Sequence, residues 1–248
     1  MESFSRIFSR QITVNTNIFG FFYSYLEISN SNRFFFVTDM LLNRILIFNE
    51  NWIYQSFKNI EKPAYMKEID NNIYISASNS FLKTDKNINI LRSHQQTGAD
   101  YRGLYYDITS QLFYVASETL KRIDVFDKNL FLVKIVFTGS YIPYSINSYQ
   151  NNELIVGTRF GEILVLNNEN RIIRNFQVCR SYITSILVDV SGFMALTCYD
   201  PDNMIRLYHV NGTSTRIEKS IIKYPEYVNF DSQGRLVVIS EKQIDIYI

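Results

Sequence analysis

The chain has 248 residues, with 25 Lys plus Arg against 24 Asp plus Glu, 18 Tyr, 19 Phe, 9 Gly and 4 Pro. The near-zero charge balance excludes association driven by a strongly basic field, whether to nucleic acid or to an anionic membrane. Abundant aromatic residues with scarce Gly and Pro favour strands over helices, and the many Asn residues supply turns.

The chain starts MESFSRIFSRQITVNTN, which lacks an apolar core of signal-peptide length. The charge-free run near the start, residues 11–26, carries Gln, Asn, Thr and Ser, whereas a spanning helix needs about 20 mostly apolar residues. The expectation is a soluble, cytoplasmic protein with no membrane partner. Within the start, SRQITVNT (9–16) reads as a strand with no obvious neighbour in sequence.

The stretch FFFVTDMLLNRILIFN (34–49) is apolar enough for a helix but is interrupted by Asp39, Asn43 and Arg44. It reads as two short strands, 34–39 and 44–49, joined by a polar turn. The pattern then recurs. The first runs are FFFVTD, IYISAS, LFYVAS, ELIVGT, MALTC and RLVVIS, and one aligned residue from each gives Val37, Ile75, Val115, Val156, Leu196 and Val238. The separations are 38, 40, 41, 40 and 42 residues. The second runs follow in phase: RILIFN, SFLKTD, RIDVFD, EILVLN, MIRLYH and QIDIYI. A further strand candidate precedes each pair, such as SILVDVSG (185–192), and another follows most of them, such as LFLVKIVF (130–137).

Four short strands every 40 or so residues, six times over, predict an all-β, six-bladed β-propeller of four-stranded antiparallel blades. The whole chain, 1–248, then forms one domain, with blades at 21–58, 61–94, 100–138, 141–177, 181–219 and 223–248. The sixth blade ends inside its third strand, so residues 9–16 are expected to pair there as its outer strand and close the ring.

VTDMLLNRILIFN and YVASETLKRIDVFD (114–127) resemble the NHL-repeat family, whose repeat has a strand ending V-x-D, a turn, an Asn-Arg-Ile-like start and a strand ending near Phe-Asp. SILVDVSG and YVNFDSQG look like its strand-turn segment. The second and fourth repeats lack the Arg-Ile pair, and the Asn-His-Leu tripeptide does not occur. The resemblance implies a scaffolding module that binds proteins or RNA through one rim of the ring. Some similar six-bladed propellers are enzymes, among them lactonases with a calcium ion in the channel.

The residues favour the non-catalytic reading, with no cofactor. A calcium site wants six or more oxygen ligands, and Glu226 is the one acid at the start of an inner strand, with Glu27, Glu68, Asp107 and Asp189 deeper. Asp189 and Asp231 suit tight turns. His94, His209, Cys179 and Cys198 have no zinc-ligand spacing. The two cysteines would share a rim, and the compartment argument favours free thiols.

The repeat phase singles out one ring of residues. Counting 14 back from the aligned positions gives Tyr23, Glu61, Tyr101, Tyr182 and Tyr224, with Tyr141 one residue further back in its repeat. Lys62, Arg102, Arg180 and Lys223 stand beside them. Two readings are open: tyrosines packed between blades with bonded hydroxyls, or an aromatic, mildly basic rim that anchors a peptide or stacks on a glycan or RNA. The turns after the second strands belong to the same rim and bring Met40, Leu41, Leu42, Arg159, Phe160, Tyr199, Asp200, Pro201 and Asp202. Exposed apolar turn tips suit a protein interface. The candidate contact residues are Leu41, Leu42, Tyr101, Arg102, Tyr141, Phe160, Arg180, Tyr182, Tyr199 and Tyr224, on a monomer that binds a protein or peptide. The alternative is a calcium-dependent lactonase-like hydrolase with a polar channel site.

Overall fold

The computed structural model describes residues 11–15, 26–29, 34–149, 153–188, 193–199, 205–209, 214–215, 225–230, 236–240 and 243–247. These residues form antiparallel strands joined by tight turns. β1 (Gln11–Asn15) comes first in the chain, and β2 (Leu26–Ser29), β3 (Phe34–Asp39), β4 (Arg44–Asn49) and β5 (Tyr54–Asn59) pair in sequence order as the first sheet. The second sheet runs β6 (Pro63–Ile69), β7 (Asn72–Ala77), β8 (Ser80–Thr84), β9 (Ile90–Gln95). The third runs β10 (Tyr101–Asp107), β11 (Leu112–Ser117), β12 (Arg122–Phe126), β13 (Leu132–Phe137). The fourth runs β14 (Pro143–Ser148), β15 (Leu154–Thr158), β16 (Glu162–Leu166), β17 (Ile172–Gln177). The fifth runs β18 (Ile183–Val188), β19 (Phe193–Cys198), β20 (Ile205–His209), β21 (Ser214–Thr215). In the last, β22 (Pro225–Phe230), β23 (Leu236–Ser240) and β24 (Gln243–Tyr247) are completed by β1, with Gln11 opposite Tyr247 and Asn15 opposite Gln243.

The first strands of successive sheets pack side by side, β2 on β6, β6 on β10, β10 on β14, β14 on β18 and β18 on β22. The six aligned residues, Val37, Ile75, Val115, Val156, Leu196 and Val238, are buried in the middle of their second strands. One apolar cluster joins Phe35, Phe36, Phe48 and Trp52 of the first sheet, Met66 and Tyr74 of the second and Phe113 of the third to Ile239, Ile244 and Ile246 of the last.

Hydroxyls next to the aligned residues stitch the first, second and fifth sheets to the sheets that follow them. Thr38 Oγ1 donates to the Ala64 carbonyl at 2.9 Å, Ser76 Oγ to that of Arg102 and Thr197 Oγ1 to that of Glu226 at 3.2 Å. The fourth sheet has Gly157 in this place. A Cβ there would come 2.7 Å from Ile183 Cγ2, and Ser145 of the neighbouring strand donates to the Ile183 carbonyl instead, at 2.8 Å.

The turns between third and fourth strands share one design. Asn49, Asp85, Asp127 and Asn167 each accept backbone N–H groups two and four residues on, through Oδ1. Three residues after these Asx positions the backbone turns left-handed, at Trp52 (φ 60°), Ile88 (61°), Leu130 (60°) and Asn170 (62°). Left-handed geometry is costly for bulky side chains. Burial of Trp52, Ile88 and Leu130 in the core offsets that cost.

One histidine lies in a joint between sheets. The His94 ring meets Phe126 edge-on at 4.8 Å. Burial lowers its pKa below the usual value, with Asp124 pulling the other way. The folded value thus lies below the unfolded one, so the unfolded chain takes up the proton first. Stability should therefore fall as pH drops through about 6.5, the unfolded value. Urea midpoints at pH 7.5 and pH 5.5 should differ in that direction, and His94→Gln should shrink the difference; an unchanged difference would contradict this role.

Candidate functional site

Backbone bonds gather the starts of the first strands and the turns after the second strands on one rim. Tyr101 N–H donates to Ser78 O at 2.6 Å, Glu118 N–H to Asp100 O at 3.1 Å, Arg159 N–H to Ile142 O at 2.9 Å and Tyr199 N–H to Tyr182 O at 2.9 Å. Each tie holds a turn against the start of an inner strand.

Glu118 organises the side chains of this rim. Its Oε2 accepts from Arg102 Nε at 3.0 Å and its Oε1 from Arg159 Nη1 at 2.9 Å. Arg102 also donates to Asp100 Oδ2 at 2.9 Å, and its Nη1 lies 2.8 Å from Met40 Sδ. Each guanidinium covers an aromatic ring: Arg102 lies 5.5 Å from the Tyr144 centroid and Arg159 lies 5.1 Å from that of Tyr182. Tyr182 meets Tyr144 edge-on at 5.1 Å and Tyr199 at 6.4 Å. The result is one chain of contacts from Met40, after β3 of the first sheet, through Arg102, the buried Tyr144 and Tyr182 to Tyr199, after β19 of the fifth. The Glu118 side chain is 8 % exposed and that of Arg159 is 42 % exposed, so the anion is sealed below while one cation faces outward.

Around this cluster stand the apolar turn tips. Leu41, Leu42 and Phe160 are 58 %, 49 % and 57 % exposed. Arg180 is exposed, and Tyr182 and Tyr199 are half-buried. These six positions lie at the starts of first strands or in the turns after second strands, exposed or half-buried. Tyr141 is half-buried, packs against an apolar cluster of the third and fourth sheets, and accepts from Asn175 Nδ2 at 2.5 Å. Its ring belongs largely to a joint between sheets.

Two of the ten candidates are corrected. Tyr101 is fully buried and donates to Asp124 Oδ2 at 2.7 Å. Burial, then the bond to Asp124, push its phenol pKa far up, so it is a packing tyrosine with a bonded hydroxyl. Arg102 spends its guanidinium on Glu118, Asp100 and Tyr144; it supports the rim from beneath. Tyr23, Asp189, Asp200, Pro201, Asp202, Lys223, Tyr224 and Asp231 lie outside the described residues.

The thiols are also corrected. Cys179 and Cys198 form a disulfide across a Cα separation of 6.2 Å, within the ordinary disulfide range. It fastens the segment leading into β18 to the end of β19, directly under Tyr182 and Tyr199. The compartment argument for free thiols describes surroundings; the fold decides proximity.

Beneath the rim the axis of the molecule is filled from one side. Tyr65 reaches across to donate to the Thr184 carbonyl and meets Tyr227 edge-on at 6.4 Å. Small residues, Gly103, Ser145 and Ser185, occupy the corresponding place on the facing strands. A Cβ on Gly103 would lie 2.7 Å from the Tyr144 carbonyl oxygen and Ser145 Cα, so the close approach of β10 to β14 requires glycine. The axis keeps a cavity of about 170 Å³ lined by Tyr65, Lys67, Asn147, Ser185, Tyr227 and Asn229 among others. Among the described residues, no three His, Cys, Asp or Glu side chains are grouped to hold a metal ion.

Sequence reasoning missed Glu118, Tyr144 and Tyr65. Glu118 directly follows a predicted strand, and its place in the repeat phase matches Met40, Arg159 and Tyr199, so alignment of the turns could have found it.

No protein-family model matches the chain, and no curated protein sequence matches it. Solved structures do resemble it. The WD40 β-propeller domain of Doa1 superposes with a TM-score of 0.72 at 12 % identity, covering 90 % of this chain and 77 % of that one. A streptogramin B lyase gives 0.67 at 11 % identity, covering 98 % and 99 %. A chain of the mitotic checkpoint complex gives 0.69 at 13 % identity, covering 90 % and 74 %. At such identities the likeness speaks for the fold alone. The protein has a β-propeller fold.

Proposed function

We propose that the chain is a six-bladed propeller, closed by β1 as the outer strand of the last blade, that binds a protein or peptide non-catalytically through the rim around Glu118. Support for closure comes from the β1–β24 register and from the core cluster shared by the first and last sheets. The placement of the repeat among NHL-like propellers rests on the VTDMLLNRILIFN and YVASETLKRIDVFD patterns.

One observation carries the binding reading: exposed Leu41, Leu42 and Phe160 flank a pre-ordered cluster of Arg159, Tyr182 and Tyr199. Binding energy concentrates where aromatic and arginine side chains are held rigid beside apolar area, because little side-chain entropy is then lost on contact. The likeness to a WD40 domain and to a chain of a checkpoint assembly agrees with a protein-binding role. Affinity purification from the source cells with wild type and a Leu41→Asp, Phe160→Asp variant tests it. Both substitutions are on exposed turns, so folding should survive. The variant should lose specific partners that wild type retains, and identical partner sets would overturn the reading.

A second reading draws on the axial cavity and on the likeness to a lyase: a calcium-dependent hydrolase of lactonase type, working in the channel, although the described lining of the cavity has Lys67 and no carboxylate and so does not itself fit a calcium ion. Calcium should then raise the melting temperature, since a ligand bound to the native state alone stabilises it.

A further inference from the structure

The outermost strands differ in a way that the rim does not explain. An exposed strand edge presents unpaired N–H and C=O groups, and natural sheets blunt such edges with polar side chains or short strands. Among the described outer strands, β5 is polar at four of six positions (Gln55, Ser56, Lys58, Asn59). β9 is polar at four of six and β17 at three of six, while β21 has two residues. β13 reads Leu-Val-Lys-Ile-Val-Phe, with Lys134 as its one polar side chain. It is the last strand of its sheet, and Leu132, Val133 and Phe137, with Phe131 just before them, are 41 %, 54 %, 72 % and 57 % exposed.

We infer that the outer edge of β13 is a docking site for an extended segment of a partner protein, added as a fifth strand to the third sheet. The backbone row dictates the class of occupant, because another strand satisfies those groups in register. The side chains dictate its pattern. Ile135 and Phe137 share one face of the strand and Lys134 and Val136 the other, while a bulge at Leu132–Val133 pairs Leu132 with Phe126 and puts it on the face of Ile135 and Phe137. Val136 is buried in the cluster shared with the fourth sheet. The cations here are Lys134, over the Tyr114 ring at 5.7 Å, and Arg92, over the Phe131 ring at 4.3 Å. The fitting segment is apolar at alternate positions and acidic opposite Lys134. A second copy of this chain would bring a second Lys134 and Arg92 to the seam, so charge favours a different protein. This surface is on the outer wall and does not depend on the rim reading.

The test uses the full chain and a fluorescein-labelled acetyl-Val-Thr-Val-Glu-Val-Thr-Val-amide, followed by fluorescence anisotropy. The expected dissociation constant is about 100 µM. Val133→Asp should weaken binding about tenfold, and so should replacing the peptide Glu by Lys or N-methylating alternate peptide amides. The peptide changes leave the protein untouched, so a misfolded variant cannot imitate the result. The inference is overturned by no binding at 1 mM peptide, by equal binding of the N-methylated peptide, or by a wild-type dimer in light scattering that Val133→Asp dissolves.

Discussion

Gly161→Ala should lower the stability of the protein by more than about 3 kcal/mol, with a fall in melting temperature of about 6–12 °C. Gly161 sits in the turn between β15 and β16 with φ at +84°, in the left-handed region. A Cβ there would lie on the Cys179 carbonyl oxygen, 2.5 Å from its carbon and 2.9 Å from the Ser181 oxygen. Those atoms are backbone and cannot swing aside. The same turn accepts the N–H groups of Val178 and Cys179 on the Gly161 oxygen, at 2.9 and 3.1 Å, so displacing it unties the segment that leads into β18. Gly98 and Gly139 separate the two costs. Both have positive φ, +74° and +66°, with nothing within 4 Å of an added Cβ. Alanine at either should cost only the backbone strain, about 1 kcal/mol. Equal losses at all three glycines in urea unfolding would show that the close approach at Gly161 is not tight.

Glu118→Ala should cost about 3 kcal/mol and also weaken rim binding, a combination that no single exposed residue should give. Glu118 is the shared anion of Arg102 and Arg159. Removing one member of a buried pair leaves a desolvated charge behind, which is far worse than the net worth of the pair. Arg102, with a side chain 14 % exposed, bears most of that cost; Arg159, at 42 %, regains water and contributes little. With the anion gone, Arg102 keeps its bond to Asp100 over Tyr144, while Arg159 loses the carboxylate that holds it over Tyr182. Glu118→Gln keeps one acceptor and should lose less. A stability loss under about 1 kcal/mol for Glu118→Ala would mean that Asp100 alone suffices for Arg102.

Much of the fold was legible because burial acts on the middle of each sheet. Strands 34–39 and 44–49 fall where FFFVTD and RILIFN place them, as β3 and β4, and the six aligned residues share one environment. Apolar runs of five or six residues bounded by Asn, Asp and Ser mark such strands clearly. The ring of tyrosines was read less well. A fixed count of 14 residues assumes equal turns between first and second strands, yet the pairing makes Tyr101 the equivalent of Pro63, Pro143, Ile183 and Pro225, and these five lie 14, 12, 13, 13 and 13 residues before their aligned positions. A shift of one residue along a strand moves a side chain to the other face. Tyr101 therefore turns inward to Asp124, while Tyr144 and Tyr65, which no count selected, reach the rim cluster and the axis. Ion pairs such as Arg102–Glu118–Arg159 join different sheets, and nothing in the local sequence announces them. The polar interruptions in FFFVTDMLLNRILIFN proved to be structure of another kind: Asp39 accepts from Arg44 Nε at 2.8 Å and from the Leu42 N–H at 3.1 Å. That turn holds Leu41 and Leu42 outward.

Site-specific photo-cross-linking tests the central claim most directly. A benzophenone amino acid is placed in the full chain at Leu41, at Phe160, or at Ile108, an exposed residue in the turn after β10 on the opposite rim. After irradiation in the source cells, Leu41 and Phe160 should give the same covalent protein adduct and Ile108 none. An adduct from Ile108 with none from Leu41 and Phe160 would contradict binding through the Glu118 rim.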